Sequence, residues 1–396
     1  MSLPRLVFRP YLRSRPTLIR SFHTSRFHAG INILFCGSDD FSLRSLKALQ
    51  TIKETTDNID SIHVVVKYEK PRGRGLKDQR PNPIRDFAEQ KSLTIFALDE
   101  AQLKDWEVPG TVDLIIAVSF GLFIPSRILE SAKFGGLNVH PSFLPKYWGA
   151  SPVQHAIIND DKTTGVVVQT LHPKKFDAGR IIAKSEPVDI EIDDKTFPAR
   201  ITDPASPYRQ LESKLGDIGA NLLIDIIMNQ HYDTAVQQRL PEIETGEKRK
   251  RAPLLVTEGS RIRFGEMTAR EVFLRSLVFD HLFCFRQKLR GEGSTKDLRP
   301  PDRTIMGPFR LPTQDECERY LKDVDPEMQW VHIPYITKQK GKHHQKPGSL
   351  ALQVSPGEWA CLQYLTIAGK NRRDAKSWAD IVSHKAVKFI SYEPTK

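Results

Sequence analysis

Long hydrophobic runs are missing from this 396-residue chain. Nothing approaches the roughly 18 consecutive apolar residues of a membrane-spanning helix, so no membrane crossing is expected. Cysteine is scarce. Cys36, Cys284, Cys317 and Cys361 fit neither zinc spacing nor a dense disulfide framework, and reduced, structural thiols are expected. No Cys/His/Asp cluster has metal-ligand spacing, so no metal is implied. His343-His344 lies in the lysine-rich stretch Lys338–Lys346 and reads as solvated loop. The spaced glycines of a dinucleotide fingerprint are also absent: only Gly37 follows the first strand, which argues against NAD. Acidic residues are absent from the first thirty positions, which carry Arg5, Arg9, Arg13, Arg15, Arg20 and Arg26. An Arg-rich, Ser-bearing, acid-free start reads as a mitochondrial transit peptide over residues 1–30, with the matrix as the expected location.

What is present is an ordinary globular composition, 39% hydrophobic and 27% charged. The chain is too long for one core, so two domains are expected. The formal charge of +11 is unevenly shared: the leader holds +6, residues 241–396 carry 28 basic against 20 acidic residues, and 31–240 are left at −3. A mildly acidic front and a basic rear suggest chemistry in one and polyanion binding in the other.

The front domain, 31–230, alternates strand and helix signals. That predicts an α/β fold: a Rossmann-like, mostly parallel sheet with helices on both faces. Strands are expected at 31–36, 62–66, 93–97, 112–118, 137–140, 165–171 and 180–188. Helices are expected at about 40–50, 82–91, 125–132, 150–159 and 208–229. A linker follows over 231–256, holding Lys248-Arg-Lys-Arg251, and then a basic domain over 257–396. In that domain a helix is expected at about 269–286 and strands at 350–354 and 360–367. The interval 291–348, rich in Pro, Lys, His and Gly, reads as an insertion of long surface loops.

Within this frame Gly136-Leu-Asn138-Val-His140 places an amide and an imidazole two residues apart, on one face of a strand. Asp177-Ala-Gly179 adds a carboxylate at a turn. In ligand-binding α/β sheets such residues gather beyond the carboxyl ends of the strands. An amide donor can polarise a carbonyl while imidazole and carboxylate manage charge and protons, which suits acyl transfer.

The run Asn138-Val-His140-Pro-Ser142-Phe143-Leu144-Pro145-Lys-Tyr-Trp-Gly149-Ala-Ser-Pro152-Val-Gln154, with Asp177-Ala-Gly179, resembles the signature of the folate-dependent formyltransferases. The likeness extends from Ile31 to about Met228 and is closest to the mitochondrial, tRNA-acting kind. It implies an enzyme that moves a formyl group from 10-formyltetrahydrofolate to the α-amine of methionyl-initiator-tRNA. It implies Asn138, His140 and Asp177 as catalytic residues, Asn138 and a protonated His140 donating to the formyl oxygen and Asp177 holding His140. Ser142, Phe143, Leu144 and Pro145 would form the loop along the folate, with main-chain groups and the apolar Phe143 and Leu144 packing on it, and Trp148 and Gln154 as supports. Pro141 departs from the glycine common in the family and removes a backbone N–H at the loop entrance. In the rear domain the resemblance implies a small OB-like, β-rich barrel.

Between the second strand and its helix lies Lys67-Tyr-Glu-Lys70-Pro-Arg72-Gly-Arg74-Gly-Leu-Lys77-Asp-Gln-Arg80. Glycines let a backbone follow a nucleic acid while Arg and Lys neutralise phosphates. The stretch resembles the loop that meets the acceptor stem in bacterial members, which implies tRNA contacts from Arg72, Arg74 and Lys77. A monomer is expected. The alternatives are a formyltransferase for a small amine and a non-catalytic RNA-binding protein that keeps the fold.

Overall fold

The computed structural model describes residues 30–68, 82–241, 249–288, 302–325, 328–339, 342–367, 371–374, 377–378 and 387–390. The expected leader up to residue 29 and the basic residues Arg72, Arg74 and Lys77 lie outside the described residues. The chain divides into two compact units. One takes the described residues up to Pro152 with Thr163–Asp189 and Glu212–Pro253; the other takes Val153–Lys162, Ile190–Leu211 and the described residues from Leu254 onward.

In chain order the elements begin with β1 (Ile31–Gly37), α1 (Asp40–Thr55), β2 (Ile59–Lys67), α2 (Pro83–Gln90), β3 (Thr94–Leu98), α3 (Glu100–Asp105), β4 (Leu114–Val118) and α4 (Ser126–Ser131). They continue with β5 (Gly136–His140), α5 (Pro152–Ile158), β6 (Thr163–Thr164), β7 (Val167–Thr170), β8 (Ile181–Lys184), β9 (Val188–Asp189), α6 (Pro207–Met228) and α7 (Thr234–Gln237). Then come α8 (Ala269–Val278), β10 (Leu282–Lys288), β11 (Asp302–Arg310), α9 (Gln314–Glu316), β12 (Trp330–Gln339), β13 (Lys342–Ser355), β14 (Glu358–Ile367), β15 (Arg373–Asp374) and β16 (Val387–Ile390).

The first unit carries a seven-stranded sheet in the order β3-β2-β1-β4-β5-β7-β8. It is parallel from β3 to β5 and antiparallel from β5 to β8. The central strands β1 and β4 are apolar at nearly every position because both of their faces are covered. On one face Leu34, Val65 and Ile115 pack with Leu103 of α3 and Ile128 of α4. On the other, α6 approaches so closely that a Cβ at Gly219 would lie 2.7 Å from Val139 Cγ1. Val139 therefore faces α6, while Asn138, in register with Ala117, looks the opposite way. The sheet's carboxyl rim thus receives Asn138 and His140 on one face.

Asp39 caps α1, accepting from Ser42 N at 2.9 Å inside a capping box. Burial pushes its carboxyl up to about 6, and Glu212 pushes the same way, while hydrogen bonds from Ser42 and Ser119 pull against them. Below about pH 4 folded and unfolded chains both hold this proton; between about 4 and 6 the unfolded chain releases it first and stability falls, the loss being complete above 6. Asn caps as well as Asp and does not titrate. Asp39→Asn should therefore stabilise the protein by on the order of 2 kcal/mol at pH 7.5, with the gain gone at pH 4. Urea midpoints at the two pH values check this.

The second unit is an antiparallel sheet in the order β12-β13-β14-β11-β10-β16, with β15 beside β14. Gln329, just before β12, donates to Phe389 O at 3.1 Å and accepts from Phe389 N at 2.8 Å. The amide thereby joins the sheet's two edge strands, so the sheet curls on itself. Val272 of α8 packs into its core with Leu282, Cys284, Phe309, Leu350 and Phe389. Arg270 holds the sequence-remote segments in this unit, reaching Asp160 at 2.7 Å and Asp194 at 2.6 Å.

Two expectations for this region are corrected. The helix expected to run to 286 ends at Val278, where Phe279 is already extended (φ −110°, ψ 141°). Beyond it Leu282 and Cys284 alternate with Phe283 and Phe285, a period of two that makes a strand. The interval 291–348 contains β11, β12 and the first part of β13 rather than loops alone, and His343 and His344 sit on β13, paired with Lys338 and Thr337. The cysteines are unpaired, and burial pushes the Cys361 thiol up to about 12. Among the described residues no helix is long and apolar enough to cross a membrane.

Candidate active site

Asn138, His140 and Asp177 come together at the carboxyl end of β5. Asp177 is the hub. Its Oδ1 accepts from Asn138 Nδ2 at 3.2 Å and Gln169 Nε2 at 3.0 Å, and its Oδ2 accepts from Gly149 N at 2.8 Å. His140 Nδ1 lies 3.6 Å from the same Oδ1, and both side chains are nearly buried, 6% and 8% exposed. Asp177 adopts a left-handed backbone (φ 49°), which a short polar side chain tolerates. Gly179 completes the turn: a Cβ there would fall 1.7 Å from Thr170 O, so only glycine lets the turn close onto β7.

The tautomer of His140 follows from its second nitrogen. Nε2 lies 2.9 Å from Tyr147 O, and a carbonyl only accepts, so Nε2 carries hydrogen. Nδ1 is then the basic position of the neutral ring, and it faces Asp177. Both ring nitrogens thus face protein oxygens. The pairing with Asp177 is the one expected to hold His140, at 3.6 Å from Nδ1 to Oδ1. Asn138 keeps its expected capability, since an amide nitrogen bears two hydrogens and Asp177 takes one.

Of the residues expected along the folate, Ser142 and Leu144 are buried. Ser142 is fully buried and donates its hydroxyl to Lys146 O at 2.7 Å. Leu144 packs with Val167 in a small apolar cluster that Phe143, Trp148 and Ile181 border. Phe143 also fills the space over Gly165 and carries Lys184 Nζ 4.3 Å above its ring. Pro145, joined to Leu144 by a cis peptide, is half-buried. These contacts build the loop, with Phe143, like Pro145, left half-buried. Among the described residues no group of three or more His, Cys, Asp or Glu is placed to hold a metal.

A family model described as Formyl transferase matches residues 31–207. The mitochondrial methionyl-tRNA formyltransferase of Saccharomyces cerevisiae is 32% identical over 285 residues, 65% of this chain and 70% of that protein. The chain belongs to the methionyl-tRNA formyltransferase family. The human mitochondrial relative is 29% identical over 61% of this chain, though the match spans only 55% of that protein. Among solved structures an N-formyltransferase from Helicobacter canadensis, in complex with folinic acid and dTDP-3-aminofucose, is 14% identical over 84% of this chain and 98% of its own, with a TM-score of 0.47.

Sequence reasoning missed three parts of this formyltransferase site. Gln169 is paired across the sheet with Asn138 and buried at 1% exposure; a lone amide inside the apolar run Val166-Val-Val-Gln169 was its signal. Gly149 contributes only its main-chain N–H, which has no side-chain signature. Arg249, assigned to the linker, donates to Phe176 O at 3.0 Å beside Asp177. Nothing local in the sequence marks that contact.

Proposed function

We propose that this formyltransferase moves a formyl group from 10-formyltetrahydrofolate to the α-amine of methionyl-initiator-tRNA, as a monomer in the mitochondrial matrix, supplying formylmethionyl-tRNA for translation initiation. The observation that carries this reading is the convergence of Asn138, His140 and Asp177 at the rim of the sheet. The donor set fits a formyl group, which offers one carbonyl oxygen and no charge: a neutral amide is there to meet it.

Attack of an amine on a formyl carbon builds negative charge on the oxygen and leaves a surplus proton on the nitrogen. Asn138 gives one N–H to Asp177 and turns the other to that oxygen, an interaction worth on the order of 3 kcal/mol when held in place beforehand. Asp177 and His140 take the proton as a pair. His140 Nδ1 is the accepting end because Nε2–H is committed to Tyr147 O, and the imidazolium so formed is balanced by Asp177. The pair later returns the proton to the leaving nitrogen. Formyl-folate thus supplies the carbon, and the chain supplies orientation and proton management.

Arg72, Arg74 and Lys77 are assigned to acceptor-stem phosphates, with weaker contacts from the basic second unit. The test is formylation by protein lacking residues 1–30, with charged initiator tRNA compared with small amines such as amino sugars or a glycinamide ribonucleotide. Initiator tRNA should be preferred by at least about a hundredfold in kcat/KM. Preference for a small amine, or no transfer at all, would replace this reading by one of its rivals. Arg74→Ala should raise KM for tRNA about three- to tenfold and leave formyl-folate binding unchanged; an equal loss of folate binding would refute the loop assignment.

A further inference from the structure

The geometry points to Arg249 as a positioning residue of the formyl-transfer site, acting on Asp177 from a segment that reads in sequence as a linker. This rests on the assignment of Asp177 to catalysis.

The segment Arg249–Ala252 lies as a strap along Trp148. Trp148 N donates to Lys250 O at 3.1 Å, Ala252 N donates to Trp148 O at 2.7 Å, and Ser151 N donates to Ala252 O at 3.1 Å. The fit is close at Gly149 (φ 118°), where a Cβ would meet Ala252 O at 2.7 Å. The same Gly149 gives its N–H to Asp177 Oδ2 at 2.8 Å. One side of the carboxylate is therefore fixed by a residue that the strap itself holds.

Arg249 reaches the main chain that carries that carboxylate. Its guanidinium lies over the Trp148 ring, 4.3 Å from the centroid. From there Nη2 donates to Phe176 O at 3.0 Å and approaches Asp177 O at 3.5 Å. The turn it grips is exposed from Pro173 to Phe176, and Phe176 is 54% exposed. Its other ties include the Phe176 ring, edge-on to Phe123 at 5.1 Å, and nearer its start Lys174 N and Lys175 N donate to His172 Nδ1 at 3.0 and 3.1 Å and Ser126 Oγ to Pro173 O at 2.8 Å. Arg249 is the contact that reaches the peptide immediately before the left-handed Asp177. A charged donor on a carbonyl makes a strong hydrogen bond, and the flat guanidinium can stack and donate at once, which a lysine ammonium cannot. Arg249 touches no reacting atom. It holds the turn so that the Asp177 carboxylate stays aligned with His140, Asn138 and Gly149.

The test is a double-mutant cycle on the full chain, read by single- and multiple-turnover formylation of methionyl-tRNA. Arg249→Ala should lower kcat about ten- to thirtyfold, with KM for tRNA and for formyl-folate each within about threefold of the parent. Arg249→Lys should recover a few-fold of that loss. Melting temperatures within about 3 °C of the parent would show that the fold is intact. In an Asp177→Asn background the cost of Arg249→Ala should shrink to about twofold or less, because groups acting through one another are non-additive. An equal cost in both backgrounds overturns the inference, as does a change confined to KM for tRNA, which would make Arg249 a tRNA contact. If Asp177→Asn alone leaves turnover unchanged, the catalytic assignment of Asp177 fails instead, whatever Arg249 does.

Discussion

Asn138→Ala should lower kcat for formylation by at least about a hundredfold while KM for methionyl-tRNA and for formyl-folate changes by less than about threefold. The reason is where Asn138 sits. β5 lies between β4 and β7, with Asn138 flanked in register by Ala117 and Gln169, so its backbone cannot shift to let another group replace the amide. The Nδ2 bond to Asp177 at 3.2 Å fixes the amide plane, which aims its second hydrogen before any substrate arrives. A donor set beforehand stabilises the charge of the transition state more than the neutral ground state, so its loss appears in turnover. Removing it also takes one hydrogen bond from Asp177, but Gln169 and Gly149 still hold that carboxylate. Steady-state kinetics with initiator methionyl-tRNA decide the matter. A loss carried by KM would mean that Asn138 binds substrate and does not stabilise charge. Asn138→Asp, which replaces the donor with a second carboxylate beside Asp177, should be at least as damaging.

The front sheet is legible in the sequence because its strands are β-branched runs with polar punctuation. Ile31–Cys36, Ile62–Val66 and Leu114–Val118 could not have been anything but buried strands. α3 escaped because a six-residue helix with one buried residue, Leu103, leaves no periodicity to read. The rear unit was harder for a different reason. Val272 to Phe285 is mostly apolar, broken only by Arg275-Ser276 and Asp280-His281, and the change from helical to strand period at Phe279 is hard to read without the cap. The β12–β13 hairpin was hidden by its charge and by Pro347-Gly348, which looked like loop. There the ladder slips between Ile333 and Tyr335, and a Cβ at Gly348 would fall 2.0 Å from Ile333 O. Gly348 marks a bulge inside a strand, a use of glycine that composition cannot separate from a turn. At the site, side-chain chemistry at short spacing was readable and main-chain chemistry was not. Asn138 and His140 announce themselves; the Gly149 N–H and the Tyr147 carbonyl do not. Apolar side chains in a loop fit a ligand or a core equally well, and the packing of Leu144 on Val167 was not readable from the motif.

Asp177→Asn should be the most damaging isosteric change in the protein, lowering kcat by about a thousandfold or more. The new side chain has nearly the same shape, so the loss isolates the second oxygen and its charge. With the carbonyl oxygen at the Oδ1 position, the new NH2 group faces Gly149 N–H, which stands 2.8 Å from Oδ2 in the parent. With the amide flipped, it faces both Gln169 and Asn138, whose nitrogens stand 3.0 and 3.2 Å from Oδ1. Either way donor meets donor, and a buried N–H left without an acceptor costs about 1–3 kcal/mol. The first arrangement leaves one such conflict and the second leaves two, so the carbonyl should remain at Oδ1. His140 Nδ1 then faces a neutral amide, and the imidazolium that turnover requires loses its counter-charge. Stability should fall modestly, by about 1–3 kcal/mol, read from urea midpoints, while single-turnover formylation nearly stops. Those two readouts separate the electrostatic role from collapse of the turn. A variant that melts far lower yet keeps most of its turnover at low temperature would show that Asp177 only builds the turn. A variant that keeps both would remove Asp177 from the mechanism and leave Asn138 as the site's sole source of rate.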